Sequence, residues 1–461
     1  MAEALAIPRS EEPSVRPDGV GPRSGARRHA WLALAGLLDV VWIFNLLTLL
    51  RYPAPLADEA FAVRRALALA QMESIWGPLR SGLAGSAGGY VTRAPVLGAW
   101  FQSVAIRAVG LSLYSTRLVS LVFGLVLLVA IYAIGARVHG ARVGFLSVVL
   151  VSLSGPFLLS THLAQYDVMV AACGFGAVAL YLWDDESGLP VRSVLAGFAV
   201  VLAAAVEPTG ISYCLAIGAL IASDGVHAVL TSRRCRGFVG GASVSGLVFA
   251  AVRLPSPPQT FVTAPPLALG PTAAATLPVV DLFARSLLDT GRLLLDALQV
   301  AAPLAVAAVV VCVVRRSAAD RTLLTLVVAL LLGSTVFVPW QPRVAAILLA
   351  PGADVLVAAL LVDHGRISVQ SLRRAPRLRL GLATGAWMLA LLSTIYGLAP
   401  LRHDALADYL ATARQIQREA PPGDVVHVAP SFWFAFPRQS FAAGPAVPSD
   451  PTSRQRLSGG S

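Results

Sequence analysis

Asp58 and Glu59 are adjacent carboxylates at the head of a segment whose apolar residues at 63, 66, 67 and 70 recur at i, i+3, i+4 and i+7. That spacing lines one face of a helix, with Arg64 and Gln71 on the opposite side. The segment follows the first long apolar run, so it is expected to lie flat at a membrane surface. A carboxylate there can act as a base toward an acceptor hydroxyl. It can equally cap a helix beginning near residue 60, with Glu59 favoured in the first turn by the helix dipole. The two roles are compatible, because a capped carboxylate is also an oriented one.

Asp167 stands where the third apolar span turns into the fourth, and an ionisable group beside a span is costly and therefore a functional candidate. An N-cap for the fourth span is the competing role. His162 and Gln165 lie in the same turn. Arg93, Arg117 and Arg343 break the charge bias described below by falling on the outer side. A guanidinium fork matches phosphate oxygens, so they are candidates for a lipid phosphate; snorkelling to headgroups is the alternative. Glu207, at a tight hairpin, reads as a polar ligand or a solvated turn residue. No zinc spacing, phosphate-cradling glycine loop or nucleotide fingerprint is present.

The elements that must position these groups are membrane elements. The chain has 461 residues, 56% hydrophobic and 13% charged, with a mean hydropathy of +0.71. Soluble domains carry about 25% charged residues. The net charge of +11 comes from arginine, with no lysine anywhere. In a chain of this kind arginine retained on the cytoplasmic side accounts for the excess, without any nucleic acid. The four cysteines, Cys173, Cys214, Cys235 and Cys312, form no CxxC pair and indicate neither a zinc site nor a disulfide framework.

Residues 1–28 read as a cytoplasmic tail without order. A first span follows at 31–50, too long for a signal h-region. Residues 51–114 form the first outer loop, with interfacial helices at 60–70 and 95–113. Further spans fall at 116–136, 143–160, 168–183, 193–206, 209–223, 237–252, 287–314, 321–338, 344–362 and 380–398, about eleven in all at about 20 residues each. A proline-rich outer loop occupies 255–281, and residues 399–461 form a small outer tail with a helix at 405–419 and a strand-like 425–428. The arginine clusters at 137–142, 233–236, 315–316 and 366–379 all land on one face under this assignment, which places the amino terminus inside and the carboxyl terminus outside. The expected fold is an all-α polytopic membrane protein.

This pattern resembles the GT-C membrane glycosyltransferases, and within them glycosyltransferase family 39, the protein O-mannosyltransferase and aminoarabinose-transferase group. Asp58-Glu59 after the first span is similar to the family's acidic pair. Residues 93–100, RAPVLGAW, resemble its His-Pro-Pro stretch; 115–120, STRLVS, with 123–125, FGL, its second-span signature. Residues 163–167, LAQYD, stand at its Leu-Ala-Arg-Pro-Asp, and 207–210, EPTG, at its Thr-Lys-x-x-Gly hairpin. Gln165-Tyr166, Ala94, Arg93 and Glu207 depart from those patterns.

The resemblance implies a GT-C-like bundle that moves a sugar from a polyprenyl-phosphate donor to an acceptor on the outer face, with inversion. It implies Asp58 as base, Glu59 as its neighbour and Asp167 as a second acid. Arg93, Arg117, His162 and Arg343 would bind substrate. The resemblance leaves a bound divalent metal open, and the acidic and His residues here do not settle it. The acceptor would be a cell-envelope glycan, lipid or protein, and the location a bacterial inner membrane. A flippase or transporter, or a binding protein for lipid-linked sugar without catalysis, are the rival readings. A transporter predicts polar residues near mid-span and repeat symmetry, whereas the candidates here gather at one face.

Overall fold

The computed structural model describes residues 24–71, 96–184, 189–225, 231–253, 288, 292, 302–315, 317–337, 342–363, 376–402 and 404–419. Among the described residues there is no strand. The named helices, in order, are α1 (Ser24–Thr48), α2 (Ala57–Ala70), α3 (Val96–Val109), α4 (Leu113–Val138), α5 (Ala141–Ser152), α6 (Gly155–Thr161), α7 (Asp167–Leu182) and α8 (Val191–Val206). They continue as α9 (Ile211–Ser223), α10 (Arg233–Arg253), α11 (Ala302–Arg315), α12 (Ala318–Phe337), α13 (Pro342–Asp363), α14 (Pro376–Leu398) and α15 (Ala405–Glu419).

Among the described residues a helix coincides with each apolar run read from the sequence, with only 288, 292 and 302–314 of the run at 287–314 described. Five described stretches are long and apolar enough to cross a membrane, or six if the bent α5–α6 pair is one span. The α7, α8, α9 and α11 helices are apolar but shorter. α1 begins at Ser24, inside the stretch read as a tail. The loop 255–281 and the strand-like 425–428 lie outside the described residues.

Local sequence sets the helix ends. α4 starts in a capping box: the Ser115 amide donates to Ser112 Oγ at 3.0 Å, and the Ser112 amide donates to Ser115 Oγ at 3.2 Å. Two orphan donors are satisfied reciprocally. The turn from α4 into α5 needs a left-handed residue, supplied by Gly140 at φ 100°, where any side chain would be strained. The α5–α6 pair bends by 64°. Pro156 at the start of α6 has no amide to continue the α5 ladder.

α7 and α13 form the interior. Nearly every residue of α7 is buried, and 94% of the apolar stretch of α13 is enclosed. α8 crosses α10 at Gly197 and Gly241, where added Cβ atoms would overlap the facing backbone; small residues let membrane helices approach closely. α1 packs on α4, with Trp31 and Tyr132 rings 5.5 Å apart. All four cysteines are free.

The segment carrying Asp58 differs from its expected setting. Its apolar face is on the expected side, with Arg64 and Gln71 exposed. However, Ala60, Val63 and Ala66 pack on Ile106 of α3 and on Ala164; the face is buried in protein, not laid on lipid. Arg107 Nη2 donates to the Leu69 carbonyl at 3.0 Å and joins α3 to the end of α2. The Ala405 amide donates to the Arg51 carbonyl at 2.9 Å, which fixes the start of α15 beside the same loop.

Candidate functional site

The site is assembled around one buried ion pair. Arg117, in the second turn of α4, donates from Nε to Glu59 Oε1 at 2.8 Å and from Nη2 to Oε2 at 2.9 Å. Both side chains are 0% exposed. The same guanidinium donates to the carbonyls of Leu49 at 3.0 Å and Pro53 at 3.0 Å, so it also ties down the chain leaving α1. Such fork geometry is the strong form of the interaction, and burial without it would be prohibitive.

Glu59 Oε1 accepts a further bond, from the Ala164 amide at 2.7 Å. Ala164 belongs to the turn between α6 and α7, and Gln102 of α3 completes the clamp by donating to the Ala164 carbonyl at 2.9 Å. Ser120 Oγ donates to the Gln165 carbonyl at 3.3 Å. α2, α3, α4 and the 162–166 turn therefore meet at one end of the bundle.

His162 is fully buried in that turn. Its Nδ1 faces the Leu158 carbonyl at 2.7 Å and its Nε2 faces Thr48 Oγ1 at 3.0 Å. A carbonyl only accepts, so Nδ1 carries a proton and the neutral ring accepts at Nε2. Burial lowers its pKa to about 4; the Leu158 carbonyl opposes this and the Arg117 charge adds to it.

Beyond the turn, Asp167 is buried in the first turn of α7, and half-buried Glu207 caps the end of α8. Burial raises the Glu207 carboxyl to about 8, and the Asp167 charge raises it too. Tyr166 links this acidic pair to α2. Its phenol is raised by burial, lowered by the charge of Arg65, raised by Glu207, and lowered again by a hydrogen bond with Arg65. The Tyr166 ring covers Gly98, where any Cβ would overlap it.

The sequence candidates are thus distributed as follows. Asp58 is exposed in the first turn of α2. It is not the cap: the helix begins at Ala57 with Leu56 at the N-cap and no side-chain cap bond. Asp167 is likewise the first residue of α7, after the N-cap Tyr166. Glu59, Arg117 and His162 are enclosed rather than open to a ligand. Arg343 is in the first turn of α13, and Arg93 lies outside the described residues. Glu207 is no solvated turn residue but half-buried beside Asp167.

Sequence reasoning passed over Arg65, Tyr166 as a linking group, and the clamp made by Gln102. Gln102 had a signal, a carboxamide among the apolar residues of α3. Arg65 and Tyr166 had none. Among the described residues no three His, Cys, Asp or Glu side chains gather to hold a metal.

Comparison with known proteins gives this architecture its context. Residues 93–252 match the family model described as dolichyl-phosphate-mannose-protein mannosyltransferase. No curated protein sequence matches the chain. Among solved structures, it is similar to ArnT from Cupriavidus metallidurans in the apo state, with TM-score 0.60 and 14% identity over 91% of this chain and 87% of that one. It is also similar to the same protein bound to undecaprenyl phosphate, with TM-score 0.58 and 12% identity over 90% and 86%. The apo oligosaccharyltransferase of Archaeoglobus fulgidus follows, with TM-score 0.50 and 16% identity over 84% and 58%. The bundle has the fold of the GT-C membrane glycosyltransferases, in a multi-pass membrane protein.

Proposed function

We propose that this chain, a membrane protein with the GT-C glycosyltransferase fold, transfers a sugar from a polyprenyl phosphate to an acceptor on the extracytoplasmic face. The observation that carries the reading is the Glu59 carboxylate. It binds α4 through Arg117 and the pre-Asp167 turn through the Ala164 amide, and leaves its neighbour Asp58 exposed at the head of α2. The match to undecaprenyl-phosphate-bound ArnT supports a lipid-linked donor.

In the reaction, Asp58 takes the proton of the acceptor hydroxyl. The hydroxyl oxygen attacks the anomeric carbon as the bond from that carbon to the phosphate oxygen breaks. Polyprenyl phosphate departs with the bonding electrons, and the anomeric centre inverts. Glu59 and Arg117 act as positioning residues, since their oxygens and N–H groups are committed to each other and to backbone. The departing phosphate lies against Arg65, with Arg93 and Arg343 as further cations; the α13 N-terminus favours an anion near Arg343. The Asp167–Glu207 pair, with Tyr166, lines the sugar side, where a neutral carboxyl can donate to a hydroxyl.

The one-sided arginine clusters support an orientation with the amino terminus in the cytoplasm and the carboxyl terminus outside, in what we take to be a bacterial inner membrane. The acceptor is a cell-envelope glycan, lipid or protein. The test uses the full chain in lipid nanodiscs with polyprenyl-phosphate sugars and an extract of envelope acceptors. Release of polyprenyl phosphate together with an inverted glycoside supports the reading. Donor binding without either product identifies a binding protein instead, and donor translocation without bond cleavage a flippase.

A further inference from the structure

α1 carries a charge where lipid does not tolerate one. Its membrane-crossing stretch is His29–Thr48, and Asp39 falls at the middle, about 15 Å from either end at the helical rise. Leu34, Val41, Asn45 and Thr48 are the buried face of the helix. Asp39 is exposed on the opposite face, in a stripe with Leu32, Gly36, Ile43 and Leu47. Among the described residues none forms a hydrogen bond or ion pair with it, and over Gly36 nothing lies within 4 Å of an added Cβ. The rotation of the helix is fixed at both ends, by Trp31 against Tyr132 and by Thr48 on His162.

A carboxylate at the bilayer centre is disfavoured by roughly a hundredfold in insertion. Its one-carbon stem is too short to reach either interface. Protonation removes the charge, but the O–H then has only the carbonyls of its own helix to bond, as Asn45 bonds the Val41 carbonyl, with no acceptor beyond it in hydrocarbon. A cation within the membrane relieves the whole of this cost.

We infer that the outward face of α1, centred on Asp39, docks a transmembrane helix of another protein that carries an arginine or lysine at mid-span. Charge complementarity selects this occupant. A second copy of the chain meeting face to face would set Asp39 against Asp39. Nor, among the described residues, does another surface of the chain supply the cation: the arginines of the long helices stand near their ends, and Arg117 is enclosed. Ala35 and Gly36, also exposed, let the partner backbone come close.

The test measures energy transfer in liposomes between the full chain, labelled at its carboxyl terminus, and synthetic Leu/Ala helices of about 23 residues. One helix bears a central Arg and the other a central Leu. The expected result is at least tenfold tighter association of the Arg helix. Asp39→Leu abolishes that preference and Asp39→Asn reduces it, with the unfolding midpoint unchanged because the side chain touches nothing in the bundle. Asn keeps a polar group at the site, so it decides the matter if the Leu variant is poorly folded. Equal binding of the two helices overturns the proposal, as does a preference that survives Asp39→Leu. Asp39-dependent transfer between two differently labelled copies, with no Arg-helix preference, overturns it in favour of a homodimer.

Discussion

Removing Arg117 should damage the protein through its fold before its affinity for donor. The guanidinium makes four bonds, two to Glu59 and two to the Leu49 and Pro53 carbonyls, all in a fully enclosed site. Arg117→Met leaves the Glu59 carboxylate buried without its counter-ion, which costs about 3–5 kcal/mol. The two freed carbonyls raise that cost where water cannot reach them. Glu59→Gln keeps an acceptor for the Ala164 amide but strands the cation, and falls in the same range. The double variant Glu59→Leu with Arg117→Met removes both charges, so at least half of the loss should return. Thermal unfolding in nanodiscs, followed by circular dichroism, measures the cycle. Transfer kinetics supply the second readout: in whatever fraction stays folded, kcat falls while the donor KM stays within about twofold. A raised donor KM with unchanged stability would refute the reasoning and return Arg117 to the role of phosphate clamp.

Other consequences follow from the same geometry. The Glu207 carboxyl, raised from 4.5 to about 8 beside Asp167, holds its proton more tightly folded than unfolded. Its contribution to stability is present below pH 4.5 and is lost as pH rises through 8. Glu207→Gln should flatten that decline and remove any activity step near pH 8, as seen in pH-dependent melting and rate profiles. His162 has the opposite sign. Its pKa falls from 6.5 to about 4, so the folded state loses up to about 3 kcal/mol as pH drops from 6.5 to 4. His162→Gln should abolish that acid-side slope in the same melts. Gly98→Ala drives a methyl into the Tyr166 ring, with an expected stability loss of about 1–3 kcal/mol and reduced turnover, since Tyr166 joins Arg65 to the acidic pair.

The helical framework was readable because an apolar run near 20 residues has few other uses. Even the buried face of α2 was visible in the period of 63, 66, 67 and 70. What covers that face was not visible, because Ile106 and Ala164 are distant in sequence and an amphipathic helix looks the same against protein or lipid. The same limit explains Arg117. An outer-side arginine is equally a phosphate ligand or half of an internal pair, and only the fold brings Glu59 to it across 58 positions. Glu207 read as solvated because a Glu-Pro turn usually is; the packing of the α8–α9 hairpin against α7 places it beside Asp167. α2 starts about three residues and α7 one residue earlier than expected, since Leu56 and Tyr166 offer no capping side chain to read.

The central claim rests on Asp58 as the base. The most direct measurement compares the native chain with Asp58→Asn in nanodiscs, following release of polyprenyl phosphate and appearance of the glycoside. Asp58 is exposed and forms no cap bond, so the unfolding midpoint should move by less than about 1 kcal/mol of stability. Turnover should fall by about 10²–10⁴. Native-like turnover in a folded Asn variant would contradict the account and leave Asp58 a first-turn carboxylate without chemistry.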